Sequence, residues 1–250
     1  GTASLAERLV GSRALMWIAC VLVGVAIHLL VWQVSAPPDL FSDYYKAYYP
    51  AAELLWENGF SAPWPLTEPG GFVNIPVVAW LFVPLVPLGE DESGWAFLVV
   101  GVLAGLAALG LLARIGRPEA RVAAPLLFLG LVNGPMVNSL REGNITHIIL
   151  LLLVVALLLW RAGWEYTMGL VLGLCAIIKL PLLLFGAYFF LRGKWRVVAG
   201  CASTIGVAVL LSLADYGQQG ILGWYKDSVQ PFLGGVIPAF NVQSIDGFLV

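Results

Sequence analysis

The chain has 250 residues, of which 60% are hydrophobic and only 11% charged, with a formal net charge of −2. Its mean hydropathy is +0.90. Ordinary globular domains are about 45–50% apolar and about 25% charged, so the composition excludes a soluble domain and points to an integral membrane protein. No basic stripe offers a footprint for nucleic acid, and no P-loop, GxSxG, HExxH or dinucleotide fingerprint occurs.

The first apolar run extends from Leu15 to Trp32. It is longer than the roughly 7–15 residues of a signal-peptide core, and Val34-Ser35-Ala36 is a faint cleavage site, so a retained transmembrane helix is expected. A polar stretch follows, PPDLFSDYYKAYYPAAELLWENG (37–59), in which Asp39 and Asp43 precede Tyr44, Tyr45, Tyr48 and Tyr49. Two readings of it stay open. Amphipathic rings anchor proteins at membrane interfaces. An acid ringed by flat, hydrogen-bonding side chains is also a way to hold a sugar.

A spanning helix needs about 20 apolar residues, because the hydrocarbon is about 30 Å thick and each residue rises about 1.5 Å. Spans are expected at about 14–34, 94–113, 122–140, 145–160, 167–178, 181–191 and 195–214. Segment 74–88 carries Pro76, Pro84 and Pro87, which interrupt helices, and is read as a juxtamembrane or re-entrant element. Lys and Arg mark cytoplasmic loops. Arg8 and Arg13, then Arg114, Arg117 and Arg121, then Arg161, then Arg192, Lys194 and Arg196 are accordingly expected inside. The acidic stretches, including Glu90, Asp91 and Glu92, fall outside, with outer loops at 35–73 and 215–250. The fold class expected is an all-α integral membrane bundle of many spans, forming a single transmembrane domain over 1–250.

Lys179 stands in the middle of an apolar run, just before Leu180 and Pro181. An ammonium there costs about 2.5–3.5 kcal/mol on insertion scales, which makes it a functional-site candidate, while a long tilted helix would let it snorkel. Pro181 breaks the helix, and broken helices are tolerated where they line a cavity. The spacings Gly101–Gly105 and Gly169–Gly173 fit close helix packing. Cys20, Cys175 and Cys201 lie singly in apolar runs and read as small buried hydrophobes. His28 and His147 are too far apart to suggest a metal cluster.

The order of features carries a resemblance. Asp43 precedes Tyr48-Tyr49-Pro50-Ala51-Ala52, and a Pro-led apolar stretch opens with Asn74-Ile75-Pro76. Gly143-Asn144-Ile145-Thr146 then introduces a Leu-rich helix, and a glycine-spaced helix runs into Lys179-Leu180-Pro181. Gly223-Trp224-Tyr225 and Asn241-Val242-Gln243 close the series. The chain resembles family 87 of the membrane glycosyltransferases, which have the C-type fold and include polyprenyl-phosphomannose-dependent mannosyltransferases of the cell envelope. Members are longer, so the chain is expected to be an N-terminal module, incomplete at its C-terminus.

The resemblance implies transfer of a mannose- or arabinose-like sugar, with inversion, from a polyprenyl-phosphate donor to a lipid or glycan acceptor at the extracytoplasmic face of the cell membrane. Asp43 would be the general base, and Lys179 and Arg141 would hold the donor phosphate. Asp39, Tyr44, Tyr48, Asn74, Asn144, Trp224, Tyr225, Asn241 and Gln243 would contact substrate. No cofactor is expected; Asp39 and Asp43 are close enough in sequence to share a divalent metal, but a single phosphate makes one less necessary. The partners implied are membrane lipid, the lipid-linked donor and a glycan or glycolipid acceptor, without nucleic acid. A transporter with broken helices or a non-catalytic subunit of a membrane complex would fit the same composition.

Overall fold

The computed structural model describes residues 40–59, 66, 72–116, 130 and 134–230, with 18, 21, 22, 24 and 25 of the first apolar run. Asp39, Asn241 and Gln243 lie outside these residues, as do most of the expected spans 14–34 and 122–140 and the tail beyond 230. Every regular element among the described residues is helical. In chain order the α-helices are α1 (Tyr49–Asn58), α2 (Glu90–Gly116), α3 (Gly134–Arg141), α4 (Thr146–Arg161), α5 (Glu165–Ile178), α6 (Leu183–Leu191) and α7 (Trp195–Trp224). The chain divides into two compact units, one made of residues 1–44 and 91–164 and the other of 45–90 and 165–250.

In the first unit, α2 is built inside out by the standards of a soluble helix. Its buried face is Phe97, Gly101, Ala104, Gly105 and Ala108, while Trp95, Val99 and Leu103 project outward at four-residue spacing. Small residues at the protein contact and large apolar ones on the exposed face suit a helix surrounded by hydrocarbon, where close approach rather than water exclusion drives association. A side chain at Gly101 would meet Leu140 at 3.2 Å and the His147 ring at 3.3 Å, so glycine there admits α3 and α4. At the far end, Arg161 Nη1 donates to the Ile115 carbonyl at 3.3 Å, joining the basic ends of α4 and α2.

In the second unit, α5 and α7 touch backbone to backbone. Carbon added at Gly169 would overlap the Val197 carbonyl, carbon at Gly200 would overlap the Tyr166 carbonyl, and carbon at Gly173 would meet the Cys201 carbonyl at 2.8 Å. The close packing read from Gly169 and Gly173 is present, and Gly200 supplies its other half. Thr204 Oγ1 donates across the contact to the Leu170 carbonyl at 3.0 Å. An ion pair, Lys194 to Glu165 at 2.9 Å, closes the end of the pair. It is partly exposed and contributes about 0–1 kcal/mol.

The prolines of 74–88 decide its local form. Pro76 and Pro84 open two 3-10 helices, Pro76–Leu81 and Val83–Leu88, with Pro87 inside the second. Proline has no N–H and its ring clashes with the preceding turn of an α-helix, so short three-residue turns replace a continuous helix. These turns pack on α1 and α7. Tyr48 stacks on Phe82 with ring centroids 4.4 Å apart. The Val77 N–H donates to Ser212 Oγ at 3.3 Å.

α5 stops at Ile178. Lys179 takes extended backbone angles (φ −131°, ψ 98°), and the 3-10 turn Leu180–Leu182 leads into α6. α7 is interrupted at Gly217, where φ is 64° and ψ −175°, angles that glycine reaches without strain. Among the described residues two stretches, Glu90–Gly116 and Trp195–Asp227, are long and apolar enough to cross a membrane. Only 28% of the apolar window of each is buried. The core helix of a soluble protein would be mostly covered; these present their large side chains outward, as an integral membrane protein does.

Candidate active site

The geometry around Asp43 begins with how α3 ends. Gly143 has φ +66°, the Gly143 N–H donates to the Leu140 carbonyl at 3.1 Å, and the Asn144 N–H donates to the Ser139 carbonyl at 2.8 Å. This is a Schellman turn, in which a left-handed glycine lets the chain satisfy the last carbonyls of the helix. Two carbonyls within it, those of Arg141 and Glu142, accept from the Phe41 N–H at 2.8 Å and the Asp43 N–H at 2.9 Å. The segment 41–44 is thereby clipped onto the turn 141–144. Glycine is required at 143 for a second reason: a Cβ there would stand 2.8 Å from Tyr44 Cβ.

The clip is held by aromatic packing. Phe41, itself at φ +60°, sets its buried ring edge-on to Trp95 at 5.3 Å. Tyr44 is fully buried and stacks on Phe97 at 5.1 Å. A positive φ at a non-glycine residue is strained and persists only where its surroundings over-determine it. Here two backbone hydrogen bonds and the Trp95 contact do so.

Asp43 thus arrives beside polar partners about a hundred residues away in sequence. Its Oδ2 accepts from Asn144 Nδ2 at 2.6 Å. The Ser42 hydroxyl donates to the Glu142 carboxylate. Asn144 Oδ1 accepts from the Thr146 N–H at 3.2 Å and from Thr146 Oγ1 at 2.6 Å. Arg141 lies in the same turn, and its Nε is buried without a hydrogen-bond partner among the described residues. An anion or hydroxyl-rich ligand would satisfy a buried guanidinium N–H of this kind.

Of the residues singled out in the sequence, Asp43, Arg141, Asn144 and Tyr44 therefore meet in the first unit, Tyr44 as packing beneath the clip. In the second unit, Asn74 and Trp224 are neighbours: Trp224 Nε1 donates to the Val73 carbonyl at 3.2 Å, and Asn74 Nδ2 is buried without a partner among the described residues. Tyr48 is buried between Phe82 and Phe72, Tyr225 is exposed, and Lys179 sits at the break between α5 and α6. Ser42 and Glu142, and Thr146 of the Gly143-Asn144-Ile145-Thr146 motif, join these bonds without a site role expected from sequence. For Thr146 a signal existed: Asn-x-Thr directly before a helix is the pattern of a side-chain turn that feeds the first free N–H groups.

No curated protein and no solved structure matches the chain. The family model of glycosyltransferase family 87 matches residues 72–250, a stretch that contains the turn 141–144 and Lys179 and begins after Asp43. With that match over most of its length and two long apolar helices exposing their bulky faces, the chain belongs to glycosyltransferase family 87, a family of membrane glycosyltransferases.

Proposed function

We propose that the chain transfers a sugar, with inversion, from a polyprenyl-phosphate donor to a lipid or glycan acceptor on the extracytoplasmic side of the membrane, with Asp43 as general base. The observation that carries this reading is the Asp43 carboxylate, bound through one oxygen by Asn144 in the same turn as Arg141. In the reaction the acceptor hydroxyl gives its proton to Asp43 and its oxygen bonds to the anomeric carbon. The bond from that carbon to the phosphate oxygen breaks, and the electron pair leaves on polyprenyl phosphate. A positioned carboxylate within reach of the hydroxyl is suited to this task. The charge that grows on the phosphate calls for fixed cations, and stabilising such charge supplies most of the acceleration in many enzymes. Arg141 is the cation of the Asp43 turn. The direct test is transfer of labelled mannose from polyprenyl-phosphomannose to extracted membrane lipids by the protein in liposomes, and no transfer from any polyprenyl-phosphate sugar would sink the reading.

Lys179 is proposed separately as a ligand of the donor phosphate, because a neutral residue would be the better choice at a helix break in an apolar run unless charge is used there. Lys179→Met keeps the stem and removes the charge. Donor binding should fall at least about tenfold, the effect of losing one charge-assisted hydrogen bond, while the thermal unfolding temperature holds. Lys179→Arg should restore it only in part, since a planar fork does not replace a compact ammonium. Equal affinity for polyprenyl-phosphomannose in wild type and Lys179→Met would make Lys179 a snorkelling residue.

The extracytoplasmic orientation rests on the basic loops. It is supported by the short reach of 74–88: two 3-10 helices of 6 residues each extend roughly 24 Å at about 2.0 Å per residue, against about 30 Å of hydrocarbon. A cysteine placed by Glu92→Cys, with Cys20 replaced by alanine and Cys175 and Cys201 buried, should react with a membrane-impermeant maleimide on intact cells. Reaction only after permeabilisation would make 74–88 a full crossing and reverse the scheme.

A further inference from the structure

We infer that Asn144 is a positioning residue for Asp43: locked by Thr146, its amide fixes one carboxylate oxygen and leaves the other, Oδ1, to take the proton. The inference rests on the reading of Asp43 as general base. Its ground is the direction of three hydrogen bonds. A backbone N–H can only donate, so the Thr146 N–H, 3.2 Å from the Asn144 side chain, requires the amide oxygen on its side. Thr146 Oγ1, 2.6 Å from the same oxygen, donates to it as well. The amide nitrogen is then turned to Asp43, which as a carboxylate can only accept, at 2.6 Å. The alternative flip would oppose two acceptors at one end and two donors at the other. Asn144 is therefore held in one of its two orientations by the N–H and hydroxyl of Thr146.

Asn144 also feeds the first N–H of α4, and a residue that did only this would be replaceable by any side chain that accepts from the N–H two residues on. Ser and Asp make such turns, and neither offers the amide donor. In Asn144→Ser the carboxylate loses a charge-assisted hydrogen bond, and in Asn144→Asp it gains a like charge; both changes favour its protonated form. The other charged side chains of the facing turn, Arg141 and Glu142, are unchanged in either variant.

The experiment reads Asp43 directly. Carbodiimide modifies the protonated carboxyl, and peptide mass spectrometry gives its extent at Asp43 against pH in the detergent-solubilised wild type, Asn144→Ser and Asn144→Asp. The midpoint should rise in Asn144→Ser and further in Asn144→Asp, with both variants unfolding near the wild-type temperature. Transfer from polyprenyl-phosphomannose should lose about 10- to 100-fold in kcat with little change in KM, as misplacement of a reacting group does. Unchanged midpoints in both variants would leave Asn144 only a turn residue before α4 and overturn the inference. If Asn144→Ser fails to fold, Asn144→Asp carries the test alone. A shifted midpoint together with normal kcat would sink the base reading of Asp43 while leaving its clamp by Asn144 in place.

Discussion

Asp43→Asn is expected to lower sugar transfer at least about 100-fold, the low end of what a positioned general base contributes. The substitution keeps the shape of the side chain and removes its charge. It leaves the fold alone, because segment 41–44 is held by the backbone N–H groups of Phe41 and Asp43 and by the rings of Phe41 and Tyr44, not by the carboxylate. An amide cannot accept the proton of the acceptor hydroxyl, so kcat should fall whichever donor is supplied. Single-turnover transfer from polyprenyl-phosphomannose measures this without interference from product release. Near-normal turnover in Asp43→Asn, joined to a loss in Asp39→Asn, would move the role to Asp39.

The largest loss of stability should come from Gly169→Ala. The added methyl overlaps the Val197 carbonyl, which is backbone and cannot rotate away. Relief requires α5 and α7 to separate, which opens the contacts at Gly173, Gly200 and Thr204 as well. Overpacking of a tight contact costs about 1–3 kcal/mol and occasionally more, and a clash with main chain belongs at or above the upper end. Gly206→Ala on α7 is the matched control, since nothing lies within 4 Å of its added carbon. There the exchange should be neutral or stabilising by up to about 1 kcal/mol, the ordinary cost of glycine in a helix. Thermal unfolding of both variants in one detergent compares them. Equal unfolding temperatures would mean that α5 and α7 are not packed as closely as the glycines imply.

These examples mark what could be read in the sequence. The Gly169–Gly173 spacing announces a close contact because four residues return to one helix face, and it is there. Gly200 has no glycine at that spacing, and only the structure reveals it as the opposing half. Lys179-Leu180-Pro181 announces a helix break because proline has no N–H to continue the ladder and its ring clashes with the preceding turn. The prolines of 74–88 likewise foretell interruption, though not that three-residue turns would replace the helix. The polar turn after α3 is legible as well, since a glycine-asparagine pair closes helices. Nothing local, however, links Asp43 to Asn144. Their meeting depends on the carbonyls left over by the turn and on rings packed against Trp95 and Phe97, both long-range facts. The family resemblance set the same residues in order without giving the hydrogen bonds between them.

The division of the chain has a consequence for how the protein is made and dissected. Each unit draws on two separated pieces of sequence, and the polypeptide passes from one unit to the other after Tyr44, Glu90 and Trp164. The 3-10 turns of 76–88 emerge from the ribosome well before α7, which they pack against and which begins at Trp195. At about 5–20 residues per second, the aromatic and proline-rich stretch waits several seconds for its partners and needs shelter in the insertion machinery meanwhile. By the same token no single cut in the gene yields either unit whole. A fragment ending at Trp164 would strand Tyr48, Phe82 and the 3-10 turns without α7, so complementation from two co-expressed fragments is the experiment this arrangement invites.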